Sequence, residues 1–459
     1  MATTGLKNYS TAILVVITFT LLCTALFCPI SSALPTRRST PMLPLINVAA
    51  QLPTSPSDNN WPMFRGNPTR SGYLTNTTIV TTGWNYSTYN PIFSSPAIAN
   101  GLVYIKGEQL LCINASTGTK IWESTVNMSQ EFLSPVVCDG YVYVCSDFRG
   151  VSGNVYAFNA ATGKQIWSSQ INNSASTPAV FDGVLYIGSN SGNAYALNAQ
   201  TGKMLWKHNI GSEINSSPTV DNNMVYIGAN DGKTYALDAS TGKEVWNHTT
   251  GIEVKYPRAS SPAVDKGVLY IGSNNNGVYA LNASTGEEIW HFSLNHAVLT
   301  TPAVSDNTVV ILTHAGIYAI NANSGIEVWK FKTSPEFLPN GHEASSPAIA
   351  KGIAYVNSYD YNLYALNVST GEKIGNFTIV EPKIDALTRV SSPAVSNGIV
   401  YVSIDRTLFA IPESTFIITP NPSSSEPASI FIYMGITGTI LGLTAIAIII
   451  LKLKHKKVA

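Results

Sequence analysis

Residues 236–246 read Ala-Leu-Asp-Ala-Ser-Thr-Gly-Lys-Glu-Val-Trp, and versions of this stretch recur along the 459-residue chain, each behind a Ser/Thr-Pro or similar step and a short run rich in Val, Ile and Tyr. Aligned on the proline, eight copies begin at Pro96, Pro135, Pro178, Pro218, Pro262, Pro302, Pro347 and Pro393, spaced by 39, 43, 40, 44, 40, 45 and 46 residues. A period in the forties built of short strands and glycine-bearing turns describes a propeller blade, not a helical solenoid.

One copy divides into four strands. Residues 217–220 form the first, with Pro218 at a strand start where the missing N–H is tolerated. Residues 224–227 and 234–237 form the next two, and 243–246 open the fourth. Asn222-Asn223, Asn230-Asp231-Gly232 and Thr241-Gly242 supply the turns. No helical period competes, so the chain is expected to be all-β. Trp122, Trp167, Trp206, Trp246, Trp290 and Trp329 close six successive copies at one position. A large ring recurring once per blade points to packing between blades rather than to chemistry. The seventh copy carries Gly375 there instead.

The eighth copy, residues 391–411, lacks a fourth strand, whereas Trp84 lies 12 residues before Pro96 with no copy in front of it. The economical solution is that the segment around Trp84 supplies the missing outer strand. The sequence thus predicts an eight-bladed β-propeller over residues 61–411, closed by an N-terminal strand that removes two open sheet edges.

The pattern Ala-x-Asp-x-x-Thr-Gly-x-x-x-Trp resembles the motif of the pyrroloquinoline quinone (PQQ) repeat family, and residues 236–246 match it throughout. Most other copies place Asn at the Asp position: Asn114, Asn159, Asn198, Asn282, Asn321 and Asn367. Residues 61–72, Trp-Pro-Met-Phe-Arg-Gly-Asn-Pro-Thr-Arg-Ser-Gly, also look like the lead-in of that family's propellers. The resemblance covers residues 61–411 and implies the fold. It leaves activity open, because the family includes PQQ-dependent alcohol dehydrogenases as well as cofactor-free scaffolds such as the propeller component of bacterial outer-membrane protein assembly. A quinone enzyme of this kind would carry a catalytic Asp, Glu and Asn ligands for calcium, and often two adjacent cysteines. This chain has no adjacent cysteine pair, short loops and sparse acidic residues, so neither PQQ nor calcium is expected.

The ends of the chain suggest a compartment. Lys7 precedes an apolar run over residues 12–27, and Ser31-Ser32-Ala33 follows, so residues 1–33 have the form of a secretory signal, or of a retained anchor. Residues 34–60 read as a flexible linker and 412–429 as a Pro/Ser-rich stalk. Residues 430–451 run 22 positions without a charge, roughly 33 Å as a helix and long enough to span a membrane. The lysines of the basic tail, 452–459, place that tail in the cytoplasm and the propeller outside. Glycosylation sequons occur at Asn76, Asn85, Asn127, Asn172, Asn215, Asn247 and Asn376, and others fall in the repeat's own turns at Asn114, Asn282 and Asn367. Beyond the signal only Cys112, Cys138 and Cys145 remain, which is no disulfide framework. With 27 basic and 27 acidic residues there is no basic stripe for nucleic acid.

No metal-ligand spacing of histidines, no Gly-x-Ser-x-Gly elbow and no phosphate-cradling loop is present. What stands out is uneven loop length. The span from tryptophan to the next blade proline is 11–13 residues for most blades but 16 before Pro262 and 18 before Pro347; from Gly375 to Pro393 it is again 18. These longer loops carry Lys255, Tyr256 and Arg258, then His342 and Glu343, then Lys383, Asp385 and Arg389, with His296 on an intervening loop. Arg258, His342, Glu343 and Arg389 are expected to converge at the mouth of the channel lined by the inner strands, on loops where a rigid scaffold places its binding groups. The function expected is a membrane-anchored binding or interaction scaffold for a protein, glycan or small ligand. A PQQ-dependent alcohol or sugar oxidoreductase and a structural envelope-assembly component are the alternatives. Oligomeric state is left open.

Overall fold

A computed structural model describes residues 61–416 apart from 62, 65, 68, 70–72, 75–81, 93, 129–132, 149–151, 174–175, 254–259, 306, 334–344, 359, 361 and 379–389. The signal, linker, apolar span and basic tail, and the stalk beyond 416, lie outside the described residues. Among the described residues no helix is long and apolar enough to cross a membrane.

Eight antiparallel sheets follow one another along the chain, one per copy of the repeat. Blade four shows how the sequence builds each of them. Thr219–Asp221, Met224–Gly228, Lys233–Asp238 and Glu244–Thr249 pair in chain order, with Tyr226 opposite Ala236 and Ala236 opposite Trp246. The middle strands are buried on both faces because a neighbouring blade covers each side, which is why they read as near-continuous apolar runs. Only the outer strand alternates between buried and exposed positions.

Blade eight is completed as the sequence predicts. Trp84–Ser87 pairs with Thr407–Pro412 in the register Trp84↔Ala410 to Ser87↔Thr407, outside Ile399–Ile404 and Ala394–Ser396. The first strand of the ring therefore seals its last blade.

The tryptophans do what their recurrence implies. In seven of the eight seams, the indole of one blade lies on the glycine of the next blade's Thr-Gly turn (Ser-Gly at Gly325), from Trp122 on Gly163 round to Trp329 on Gly371 and Trp84 on Gly118. Each indole N–H also donates to a carbonyl of that next blade, at 2.7–3.0 Å. In six of these seams a second-strand tyrosine packs against the indole at ring-centroid distances of 5.8–6.0 Å, Tyr226 on Trp246 being typical.

The seam between blades seven and eight is different. Gly375 replaces tryptophan, and blade eight has no Thr-Gly turn to receive one. The chain's exit fills the gap. A 3-10 turn at Glu413–Thr415 leads to buried Phe416, whose backbone lies so close to Gly375 that any Cβ there would collide with it. The Phe416 ring meets Tyr355 edge-on at 5.4 Å, taking the place of the absent indole.

The inner strands do not line an open channel. Trp61, 1% exposed, exchanges two backbone hydrogen bonds with Ile98 on the inner strand of blade one. Farther on, the Thr69 carbonyl accepts from Val264 N–H on blade five, and Tyr73–Leu74 runs parallel to Ala348–Ala350 on blade seven. Because the free edge of an inner strand faces the axis, contacts with blades one, five and seven carry this segment across the channel.

Candidate functional site

In a four-stranded blade the turn between strands two and three emerges on the same face as the connection to the next blade. On this loop face the residue just before each blade proline is Ser or Thr, and six of the eight seams show one linking to the next. The N–H of Ser95 donates to the Ser134 hydroxyl, that of Ser134 to Thr177, Ser217 to Ser261, Thr301 to Ser346, Ser346 to Ser392 and Ser392 back to Ser95, all at 2.8–3.1 Å. The Ser/Thr-Pro step is thus more than a strand start; it belts the blades together around the axis. One residue earlier a second hydroxyl caps strand two of its own blade. Ser94, Ser176, Ser216, Ser260, Thr300 and Ser391 each bond the backbone twelve residues on, at 2.7–3.1 Å.

Polar groups left over from this scheme are concentrated. Among the described residues, buried side-chain polar atoms without a hydrogen-bond partner gather on the loop face: Asn190 Oδ1, Asn230 Oδ1, His296 Nε2, Ser345 Oγ, both ends of the Asn357 amide, Ser358 Oγ and Ser403 Oγ. An unmade hydrogen bond of this kind costs about 1–3 kcal/mol. Such groups are rare in native proteins and cluster where a function requires them.

Of the loop residues the sequence offers as binding candidates, only His296 lies within the described part. Its ring is half-buried, with Nε2 unpartnered and the ring centroid 6.5 Å from that of Tyr318. Burial, then the neighbouring His314 and Lys330, lowers its pKa below the ordinary 6.5, so the imidazole is neutral at pH 7. Lys255, Tyr256, Arg258, His342, Glu343, Lys383, Asp385 and Arg389 lie outside the described residues. Sequence reasoning did not single out Ser345, Asn357, Ser358 or Ser403. The signal was present at the position twelve residues beyond the capping hydroxyl, which is Gly188, Gly228 and Gly272 in blades three to five, Leu312 in blade six, Lys106 in blade one and Ser403 in blade eight, but Asn357 in blade seven.

No group of three His, Cys, Asp or Glu that could hold a metal ion occurs among the described residues. Cys112, Cys138 and Cys145 form no disulfide, and burial pushes the thiols of Cys112 and Cys138 up to about 12, which keeps them protonated and inert. Asn85, Asn127, Asn172, Asn247 and Asn376 are all exposed, whereas Asn114, Asn282 and Asn367 are half-buried with their side-chain carbonyls bonded into the turn; Asn76 lies outside the described residues.

A ring of eight blades, Trp-docked at seven seams and Ser/Thr-linked at six, with its uncommitted polar groups gathered on one face, defines a PQQ-type repeat propeller. The model of the family described as outer membrane protein assembly factor BamB matches residues 151–255 and 249–415, more than half of the chain, and the chain belongs to that family. Among solved structures, BamB from Moraxella catarrhalis is similar at 17% identity and a TM-score of 0.56, covering 73% of this chain and 97% of that one. A europium-containing methanol dehydrogenase is similar at 13% identity and a TM-score of 0.60, covering 76% and 89%. The quinohemoprotein alcohol dehydrogenase from Comamonas testosteroni gives 14% and 0.60, over 76% and 80%. At these identities the likeness is one of fold. No curated protein sequence matches significantly.

Proposed function

We propose that this propeller is an extracytoplasmic, membrane-anchored binding scaffold that engages its partner on the loop face and performs no chemistry of its own. One observation carries the proposal: the unpartnered buried polar groups gather on that face. The charged loop residues Lys255, Arg258, His342, Glu343 and Arg389 precede inner strands that begin there, and we assign them to the same binding surface. Calcium is held by carboxylate and carbonyl oxygens, several at once. Among the described residues the unpartnered groups on this face are amides, hydroxyls and one neutral imidazole, with no carboxylate among them, which favours a scaffold over a quinone–calcium site. The match to an assembly-factor family favours a protein among the partners of that face.

The deciding experiment supplies PQQ and calcium to the purified full chain, then scans for a bound chromophore and for dye-linked alcohol oxidation. No bound quinone and no turnover is the expected result. Stoichiometric quinone with turnover would overturn the scaffold role.

A further inference from the structure

The seam between blades seven and eight departs from the others twice, at its two ends. At the turn face it lacks the Trp–Gly contact and is held by Phe416 and by an ion pair of Lys351 with Glu413 at 3.4 Å. At the loop face its hydrogen bonding is unfinished. Ser345 stands where six other blades place a capping hydroxyl, yet its Oγ has no partner. Asn357, 2% exposed, ends strand two with neither Oδ1 nor Nδ2 bonded, and Ser358 follows with a free hydroxyl. Asn357 lies two residues beyond Tyr355 on one strand, so it faces the same neighbour, blade eight. In blades three and five the equivalent position is glycine, Gly188 and Gly272, packed so tightly under Ile214 and Val298 that a Cβ would clash. Blade seven has exchanged that dry contact for four uncommitted polar atoms.

We propose that this seam is a binding site for a neutral, hydroxyl-rich ligand of the polyol or saccharide class, an inference that rests on the scaffold role above. The chemistry follows from the groups. An amide and two hydroxyls together offer donors and acceptors with no net charge, which matches ligand hydroxyls that also do both. The four atoms are covered in the closed ring, so capture requires the seam to part. It is the one junction without an indole bound across it.

The test is calorimetric titration of the full chain with glucose, mannose, N-acetylglucosamine and their trisaccharides, alongside melting curves. At least one sugar should bind saturably. Asn357→Leu, which installs the residue blade six carries at this position, should weaken binding by at least about tenfold, as loss of one or two hydrogen bonds requires. It should at the same time raise the melting temperature, because leucine removes the two unpaired amide atoms. Ser345→Ala should move both readouts in the same directions. The inference is overturned if no sugar binds, if Asn357→Leu binds as well as the parent, or if that variant melts lower. Waters on Asn357 in a crystal that soaked sugar does not displace would also overturn it. Absence of sugar binding ends this inference alone, whereas quinone turnover ends the scaffold role.

Discussion

At the scale of single residues, the repeat motif resolves into a small hydrogen-bonded device. The Asp238 carboxylate accepts from the Thr241 hydroxyl and amide, which hold its pKa below the usual carboxylate range. Asn159 and Asn198 take the same two bonds in their blades through Oδ1. The charge is therefore dispensable, and we predict that Asp238→Asn leaves the melting temperature nearly unchanged while Asp238→Ala lowers stability by about 1 kcal/mol. The turn exists to seat the next blade's neighbour. Gly242 has φ +69°, and a Cβ there would come within 2.5 Å of the Trp206 ring, so Gly242→Ala should destabilise on both counts. Trp246, 8% exposed, should cost about 3–5 kcal/mol when cut to Ala. A loss under about 1 kcal/mol in denaturant titration would show that its ring does not hold the seam.

At the scale of elements, two additions at the chain's ends complete a ring that the repeats alone leave unfinished. Removing residues 84–87 strips the outer strand from blade eight and the indole from its seam with blade one. We predict association or rapid proteolysis; a monomeric, equally heat-stable product would refute the closure. Phe416→Ala should cost about 3 kcal/mol, as for other buried aromatic truncations, and should raise amide exchange along 373–378 and 399–404 before the rest of the ring. The first addition was legible in the sequence, because Trp84 keeps the spacing of its repeat. The second was not. Gly375 reads as a lost tryptophan until Phe416 is seen against it, 41 positions away and outside any repeat. The polar seam escaped notice for a related reason: charge on long loops is conspicuous in a sequence, whereas one Asn in place of Gly becomes informative only when its hydrogen bonds can be counted.

At the scale of the whole molecule, the loop face should give the protein its acid sensitivity. Above pH 6.5 the His296 ring is neutral in both the folded and unfolded chain, and its contribution is full. As pH falls below that value the unfolded chain takes up a proton that the buried site resists, so stability drops until the lowered folded pKa is passed. His296→Gln should flatten that part of a melting-temperature profile, and an unchanged slope would remove His296 as its source. The strap across the channel has a consequence of another kind, in time rather than space. Residues 61–74 bond to blades one, five and seven, and the Ser87 hydroxyl meets that of Thr407, 320 positions later. This N-terminal stretch of the propeller, made before any of its blades, therefore has no complete docking place until nearly the last blade is made. Loop closure over such separations is slow. We expect blades one to six to form in sequence around an empty axis, and a late, slow phase in refolding to report the N-terminal segment finding its seat. Until then one outer edge and three inner ones stay unpaired, and that interval is when this protein is most exposed to association with copies of itself.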